Sequence, residues 1–387
     1  MIGKGEEKAA SSALKDSVGQ MWANTFLEAE WVAVLSTVLS VANKTATKAY
    51  LVGGIVRECV FSVVRPTLAG KPKNLIDIDF AVIGDFDTFI IEIASALSTL
   101  KIDRSPFMTA VCQLSGGMSV DFAHCRTETY KHPGSLPEVQ CASLDQDALR
   151  RDFSINAIYV PLSEIFLPPP SDFENLKGRI IDYVGGLQAL LGGVVEVLHE
   201  KSISDDPTRI FRAVRYRAVL SAFALNGTYG EKFLQSQKEA CSSSSTSAIK
   251  AVSHFRKWNE LKKCFECRYP VEGIGDLREL GVFKQWPPMP SEIQATFIAR
   301  IDRLLTLDQS ILTTQGFVIF AALWMWSYLD SIESLRNSDE VVELKNQFKR
   351  ARDELRLSKP IKRIIEERKL ESSAQIDWYC KAVDVYQ

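Results

Sequence analysis

Residues 74–84 read Asn-Leu-Ile-Asp-Ile-Asp-Phe-Ala-Val-Ile-Gly, and this stretch decides the fold. Its apolar run is typical of a buried strand that ends at Gly84. Because side chains alternate along a strand, Asp77 and Asp79 lie on the same face. Two carboxylates on one face of a buried strand repel each other unless a cation lies between them. The stretch therefore predicts a strand that carries a site for divalent metal ions.

A second feature lies a short way upstream, where residues 51–57 read Leu-Val-Gly-Gly-Ile-Val-Arg. The pair Gly53-Gly54 predicts a tight turn whose backbone N–H groups can cradle phosphates, and Arg57 adds a positive charge beside it. Together with the two aspartates, this turn indicates a site for a nucleoside triphosphate and two divalent metals. Either motif alone is weak, because an Asp-x-Asp tripeptide also occurs in sugar transferases, phosphatases and solvated strand ends.

Three further motifs follow in order, at residues 120–123 (Val-Asp-Phe-Ala), 150–157 (Arg-Arg-Asp-Phe-Ser-Ile-Asn-Ala) and 205–216, which begins Asp-Asp-Pro-Thr-Arg. The ordered set resembles the class II tRNA nucleotidyltransferases, the CCA-adding enzymes and their poly(A) polymerase relatives. The resemblance is close over roughly residues 48–220 and extends elsewhere only in helical character. It implies an α+β fold, in which a polymerase-β-like nucleotidyltransferase head precedes an all-α neck, body and tail.

The resemblance also implies roles for individual residues. Asp77 and Asp79 are expected to hold two Mg²⁺ ions, one to activate the attacking 3′-hydroxyl and one to neutralise the triphosphate and the leaving pyrophosphate. Asp121, on a further strand, either completes the catalytic carboxylate cluster or only supports the sheet. Nucleotide contacts are implied for the glycine turn and the later motifs, at Gly53, Gly54, Arg57, Arg151, Asp152, Asn156, Asp206, Arg209 and Arg212.

Asp206 and Arg209 form a distinctive pair, because they lie three residues apart at the start of a predicted helix. A carboxylate accepts from an exocyclic amine, whereas a guanidinium donates to a ring nitrogen and a carbonyl oxygen. Such a pair can recognise cytosine or adenine and reject uracil and guanine without a nucleic-acid template. The alternative is an N-capping aspartate followed by a surface arginine. Arg212, on the same helix, either reaches phosphates or pairs with acids.

The composition is that of a soluble globular protein, with 46% hydrophobic and 24% charged residues. A formal net charge of −2 means that any nucleic-acid surface is a local patch. Residues 345–369 are one candidate, since ten Lys and Arg outnumber four Asp and Glu there; they suit either tRNA phosphates or a solvated helix. No apolar run reaches transmembrane length. Eight scattered cysteines favour a reducing compartment, and Cys264 and Cys267 are interpreted as free thiols.

The patterns and the resemblance divide the chain into a flexible N-terminus (1–22), a nucleotidyltransferase head (23–163), a helical neck that binds RNA and nucleotide (164–270) and a helical body and tail (271–387). Strands are predicted near 49–53, 75–83, 109–115 and 118–123, and helices over 23–42, 86–100, 150–158 and 206–223. The absence of arginine before Arg57 argues against a transit peptide. A cytoplasmic location is therefore expected, with an organellar copy as the alternative.

We expect an enzyme that adds C and A to the 3′ end of tRNA from CTP and ATP, with Mg²⁺ and without a template. Residues 126–139 take the place of the family's flexible loop at nearly full length, which counts against a CC-adding subtype. The sequence Tyr-x-x-Pro-Gly-x-Leu-Pro at residues 130–137 also resembles that of A-adding members, so addition of A alone stays open. Further alternatives are a poly(A) polymerase, although its usual Pro-Pro-Ala-Arg segment is absent, and an inactive head kept as an RNA-binding module. The expected partners are the tRNA 3′ end, CTP and ATP, without a membrane; the sequence indicates no oligomeric state.

Overall fold

The computed structural model describes residues 21–64, 77–131, 135–222, 227–242, 248–267, 269–287 and 291–307, together with residues 312, 313, 316 and 320. These residues fall into two compact units. The first contains the residues up to Tyr130 and Leu136–His199, and the second contains the residues from Glu200 onward together with 131 and 135. The predictions for residues 1–20 and for the basic stretch 345–369 lie outside the described residues.

The strands of the first unit are β1 (Lys48–Val52), β2 (Asp77–Ile83), β3 (Lys101–Ser105), β4 (Thr109–Gln113), β5 (Ser119–His124), β6 (Arg126–Thr129), β7 (Glu138–Cys141), β8 (Ile158–Pro161), β9 (Ile181–Asp182) and β10 (Val194–Val195). Its helices are α1 (Ala23–Phe26), α2 (Ala29–Lys44), α3 (Gly54–Val64), α4 (Phe86–Ala96), α5 (Leu144–Arg150), α6 (Phe173–Arg179) and α7 (Gly186–Gly192). The second unit contains β11 (Thr228–Tyr229) and the helices α8 (Ser202–Asp205), α9 (Arg209–Ala222), α10 (Glu231–Ala240), α11 (Ala248–Ala251), α12 (His254–Glu266), α13 (Pro270–Glu279) and α14 (Ser291–Leu304).

Seven strands form one mixed sheet in the order β3-β4-β5-β2-β1-β8-β9. β2 and β5 run parallel, whereas β1 lies antiparallel on the other side of β2. The strands predicted near 49–53, 75–83, 109–115 and 118–123 are confirmed as β1, β2, β4 and β5. β3 was not predicted because it lies at an edge of the sheet, where its charged and largely exposed residues show no apolar alternation.

The two faces of β2 have different surroundings. On one face Phe80 stacks on Phe122 with ring centroids 5.0 Å apart, and Phe89 of α4 meets Phe122 edge-on. On the other face Asp77 and Asp79 are exposed. Farther along that face Ala81 is fully buried in a cluster with residues of β1, β8, α5 and the neighbouring turns, namely Val52, Cys125, Leu144, Ala148, Ala157 and Tyr159. The two acids therefore stand at the open end of a face whose other end is closed by apolar packing.

The helix predicted over 150–158 is wrong. α5 ends at Arg150, and Phe153 is extended and bridges Val197. Residues 154–156 form a single 3₁₀ turn before β8. The reason is local, because the carboxylate of Asp152 accepts the N–H of Phe153 at 2.9 Å and so competes with helical bonding. The prediction over 23–42 also missed a break, since Leu27 is extended between α1 and α2.

Residues 126–139 are not a loop throughout. β6 and β7 pair antiparallel, with Thr129 opposite Glu138, so the ends of this stretch form a hairpin. The first unit reaches His199, and β9 joins the same sheet, which carries the head fold past the predicted boundary at residue 163.

In the second unit, α9 packs against α12 and α13 around an aromatic core that includes Phe211, Trp258 and Trp286. The helix predicted from Asp206 begins three residues later, because Asp206 is extended and its carboxylate accepts the N–H of Thr208 at 3.1 Å. Neither Cys264 nor Cys267 forms a disulfide. Among the described residues of both units, no helix is long and apolar enough to cross a membrane.

Candidate active site

Three carboxylates share one face of two adjacent strands. Asp79 and Asp121 are register partners across the parallel pair β2 and β5. Their backbones therefore lie about 4.8 Å apart, the usual spacing of neighbouring strands. Asp77 lies two residues earlier on the same face of β2. The structure thus brings together the three acids that the sequence indicated.

The environment of Asp121 shows the mutual repulsion of these acids. Burial, and then the charges of Asp79 and Asp77, raises the pKa of Asp121 to about 6. Its Oδ1 atom is buried without a hydrogen-bond partner. An ionised carboxylate in this position is stabilised by a cation. The donor set therefore fits the Mg²⁺ ions that the resemblance implies.

The three acids fit an open metal site, in which water and substrate supply the remaining ligands. Among the described residues, no group of three or more His, Cys, Asp and Glu side chains is close enough to hold a metal ion by itself. Mg²⁺ commonly takes only one or two carboxylates and completes its shell with water and substrate phosphates. Asp77, Asp79 and Asp121 suit that mode of binding better than a closed protein cage.

We expect Asp121→Asn to raise the thermal midpoint in metal-free buffer near pH 7 and to leave it unchanged near pH 4. The folded-state pKa of about 6 lies above the ordinary 3.8, so between these values the folded protein binds more protons than the unfolded chain. The free energy of unfolding therefore falls as the pH rises through this window. Above about pH 6 Asp121 is ionised in the folded protein, and its destabilising effect is complete. The measurement is thermal unfolding with EDTA across this pH range.

The control for that experiment is Asp103→Asn, since Asp103 lies on the edge strand β3 and is ion-paired with Lys101. Equal midpoints of the wild type and Asp121→Asn near pH 7 would contradict the placement of Asp121 beside two other acids.

Gly53 connects β1 to α3 and leaves space for Asp79. Its φ of +75° lies in the left-handed region, and a Cβ atom at this position would come within 2.9 Å of Asp79 Oδ2. Both facts require glycine. The 11-residue helix α3 begins at the next residue, Gly54. Helix N-termini bind anions, so this turn can bind phosphates as predicted. The approach of Gly53 to Asp79 places the turn directly beside the acidic strand.

Arg57, in the first turn of α3, connects the glycine turn to the motif at 150–157. It donates from Nη1 to Oδ1 of Asn156, which donates from Nδ2 to Oδ1 of Asp152 at 3.1 Å. Asp152 and Asn156 are both buried. The two residues are four apart, the spacing of neighbours on a helix, but here the 3₁₀ turn brings them together. Burial raises the pKa of the neighbouring Glu58, and the charge of Arg57 opposes this rise.

Arg151 has protein partners for its guanidinium group. Its Nη2 atom lies 2.8 Å from Oδ2 of Asp147, and its Nε donates to the Tyr159 hydroxyl at 2.9 Å. Burial would raise the pKa of Asp147, but the charges of Arg151 and Arg150 hold it below its usual range. Sequence reasoning missed Asp147, although its spacing of three and four residues from two arginines was an available signal. A nucleotide contact by Arg151 stays a prediction.

In the second unit, the predicted base-reading residues are oriented by partners that sequence reasoning did not identify. Nη2 of Arg256 lies 2.9 Å from both carboxylate oxygens of Asp206. Arg209 is buried and donates from Nη1 to the hydroxyl and the carbonyl oxygen of Ser202. Arg256 is 50 residues from Asp206 in sequence, so no spacing pattern indicated it.

Arg212 lies one turn beyond Arg209 on α9. Its Nη2 atom is 3.5 Å from the hydroxyl of Tyr216, one further turn along the helix. Neither a phosphate contact nor an acid contact of Arg212 is tested by this arrangement, so its nucleotide-binding role stays a prediction.

The chain is similar to several known proteins. Residues 49–196 match the family described as the poly A polymerase head domain. The chain is 35% identical over 193 residues to an A-adding tRNA nucleotidyltransferase from Geobacter sulfurreducens, which covers 50% of this chain and 20% of that protein. It is 29% identical over 279 residues to an A-adding tRNA nucleotidyltransferase from Halalkalibacterium halodurans, with 72% and 59% covered. The chain thus spans about a fifth of the first relative and somewhat more than half of the second.

Solved structures show the same fold. The Thermotoga maritima CCA-adding enzyme complexed with tRNA-CCA is 22% identical and has a TM-score of 0.58, with 95% of this chain and 76% of that chain covered. This likeness, together with the mixed sheet and its covering helices, confirms the predicted α+β class with a nucleotidyltransferase head.

Proposed function

Because the chain belongs to the class II tRNA nucleotidyltransferase and poly(A) polymerase family, we propose that it transfers nucleotides from CTP and ATP to the 3′ end of tRNA and completes the CCA terminus without a template. The observation that supports this most is the acidic face, where Asp79 and its register partner Asp121 lie beside the Gly53 turn. Metal-binding acids next to an anion-binding helix end are what nucleotidyl transfer from a triphosphate requires.

In this proposal Asp77 and Asp79 bind Mg²⁺, with Asp121 as a third acid on the same face. Bound Mg²⁺ supplies neutralisation of the triphosphate and activation of the tRNA 3′-hydroxyl. The Gly53 turn and the first turn of α3 orient the phosphates through their backbone N–H groups. Arg57, which Asn156 holds in place, adds a charge-assisted hydrogen bond to the same anion.

Base selection is assigned to Asp206 and Arg209 in the second unit. The side chain of Asp206 is 20% exposed while Arg256 binds it. Oδ1 of Asp206 already accepts from Arg256 and from the N–H and hydroxyl of Thr208, so Oδ2, which accepts from Arg256, is the oxygen that would accept an exocyclic amine. Ser202 holds Arg209 in one orientation, which lowers the entropy lost when a base binds.

A second candidate is addition of the terminal A alone. Two relatives that align with this chain at 35% and 29% identity are A-adding tRNA nucleotidyltransferases. Both candidates use the same acids and the same phosphate-binding turn, and they differ only in the RNA end and the base that are accepted.

The test is incubation of purified protein and Mg²⁺ with three tRNAs, one that lacks CCA, one that ends in C and one that ends in CC. Each tRNA receives a single nucleoside triphosphate, and product length is read on a sequencing gel. Addition of C to the first two and of A to the third supports CCA addition. Extension of the CC-ended tRNA alone identifies an A-adding enzyme. No extension of any tRNA would contradict the proposed function.

We expect Arg209→Ala to weaken the discrimination of CTP and ATP against UTP and GTP much more than it weakens tRNA binding. Loss of one buried charged hydrogen-bond partner typically costs ~2–5 kcal/mol, because the other partner is left unpaired. The measurement compares kcat/KM for the four nucleotides and the Kd for tRNA. The matched control is Arg278→Ala, since Arg278 lies in the same unit in an exposed ion pair with Asp302. Unchanged discrimination in Arg209→Ala would exclude it from base recognition.

A further inference from the structure

The base of the β6–β7 hairpin is held by a buried acid that the proposed reaction does not use. Glu128 lies on β6, and its side chain is only 8% exposed. Its Oε1 atom accepts from Nε and Nη2 of Arg126 at 3.0 and 2.8 Å, and from Nη1 of Arg150 at 3.0 Å. Its Oε2 atom accepts from the Tyr130 hydroxyl at 2.7 Å. Glu128 therefore connects the strand, the first residue beyond it and the last residue of α5.

Asp147 continues these contacts on the other side of Arg150. Its Oδ1 accepts from Nε of Arg150 at 2.8 Å and from the backbone N–H of Arg126 at 3.2 Å. Its Oδ2 accepts from Arg151 and from the hydroxyl of Tyr159 at 2.8 Å. Three guanidinium groups thus surround two acids, and a continuous line of hydrogen bonds runs from Tyr130 to Arg151.

This line ends at the residues proposed to contact the nucleotide. Arg151 directly precedes Asp152, which binds Asn156, which in turn binds Arg57 in the first turn of α3. The backbone of residues 151–157 has little regular structure of its own, since it comprises an extended segment and one 3₁₀ turn. Such a segment takes its geometry from side-chain partners more than from secondary structure.

The two acids are ionised in this setting. Burial would raise the pKa of Glu128, but Arg150, the Tyr130 hydroxyl and Arg126 hold it below its usual range. Removing the charge of Glu128 leaves the partly buried Arg126 without its carboxylate partner, and removing the charge of Asp147 does the same to Arg151. Arg150 and Arg126 would then move apart or toward solvent, and the contacts of Asp147 with Arg151 would change with them.

We propose that Glu128 is a positioning residue, which fixes the β6–β7 hairpin against α5 through Arg126 and Arg150 and thereby sets the geometry of residues 151–157 for nucleotide binding. The inference rests on the proposed function in one respect, because it takes residues 151–157 to contact the nucleotide. The structural half of the proposal, the coupling between the hairpin and this segment, holds independently of which reaction the protein catalyses.

The test compares Glu128→Gln with Glu138→Gln in the full chain. Both variants remove one carboxylate from the same hairpin, but Glu138 is exposed at the start of β7. We expect amide hydrogen exchange in residues 151–157 to become about tenfold faster in Glu128→Gln, the effect of losing one charge-assisted hydrogen bond, and to stay unchanged in Glu138→Gln. We also expect Glu128→Gln to raise the KM for ATP on CC-ended tRNA about tenfold with kcat changed less than about twofold, since ordering of the segment is then added to the cost of binding.

Exchange that becomes faster only within the hairpin, with residues 151–157 as in the wild type, would overturn the proposal. Equally faster exchange in residues 151–157 of Glu128→Gln and Glu138→Gln would also overturn the proposal. If the wild type adds no nucleotide, the proposed function fails while the exchange comparison still decides the coupling. Where Glu128→Gln does not fold, Tyr130→Phe removes the hydrogen bond to Oε2, and it must then accelerate exchange in residues 151–157 for the proposal to stand.

Discussion

Asp79→Ala is expected to lower kcat for nucleotide addition by ~10³-fold or more, since loss of one metal ligand removes several kcal/mol of transition-state stabilisation. Asp79 is the acid nearest to the glycine turn, because the space above Gly53 is filled by its Oδ2 atom. The side chain is exposed on its strand, so its removal creates no cavity in the core. The thermal midpoint in metal-free buffer should therefore stay the same or rise, as one source of repulsion toward Asp121 is removed.

The measurement is single-turnover extension of CC-ended tRNA with ATP at saturating Mg²⁺, accompanied by thermal unfolding. Asp87→Ala serves as the control, because Asp87 is an exposed acid of α4 that pairs with Arg104 on the outer strand β3. Extension by Asp79→Ala at the wild-type rate would rule out this carboxylate as a metal ligand.

Gly53→Ala is expected to lower nucleotide addition by ~10²-fold or more, although it adds only one methyl group. The methyl carbon would lie 2.9 Å from Asp79 Oδ2, so either the acid or the turn must shift. A misplacement of about 1 Å at a catalytic group can cost about 10²-fold. The positive φ adds a further cost of ~1–2 kcal/mol in stability, because an L-residue is strained in the left-handed region.

Gly116→Ala separates the two effects. Gly116 has a φ of +71°, and a Cβ atom there meets nothing within 4 Å. Both variants should therefore lose the stability that the positive φ costs, and only Gly53→Ala should lose activity at temperatures well below its midpoint. A Gly53→Ala protein with full activity, or a Gly116→Ala protein with an equal defect, would show that the contact between Gly53 and Asp79 is not needed for catalysis.

The acidic face was predictable from sequence because it depends on local patterns. The alternation of Asp77 and Asp79 within an apolar run predicts both the strand and the common face. The glycine pair predicts the turn that joins β1 to α3. The structure adds the register that pairs Asp79 with Asp121, which no local pattern specifies. It also corrects the helix predicted over 150–158. The segment after Arg150 is extended, because the Asp152 carboxylate accepts the N–H of Phe153.

Contacts between residues that are far apart in the chain could not be predicted from the sequence. Arg256 binds Asp206 across 50 residues, and Arg57 binds Asn156 across 99 residues. Glu128 has the same character, because it joins a strand to a helix that ends 22 residues later. In each case two ordinary charged or polar residues acquire a specific role only through the packing of the elements that carry them.

The most direct test presents CC-ended tRNA and Mg²⁺ with all four nucleoside triphosphates together, followed by sequencing of the RNA 3′ ends. A protein that selects its base through Asp206 and Arg209, and transfers it at Asp77 and Asp79, should add a single A and then stop, so that nearly all extended ends read CCA. Extended ends that contain U or G, or long tails of A, would contradict template-free CCA completion by this protein.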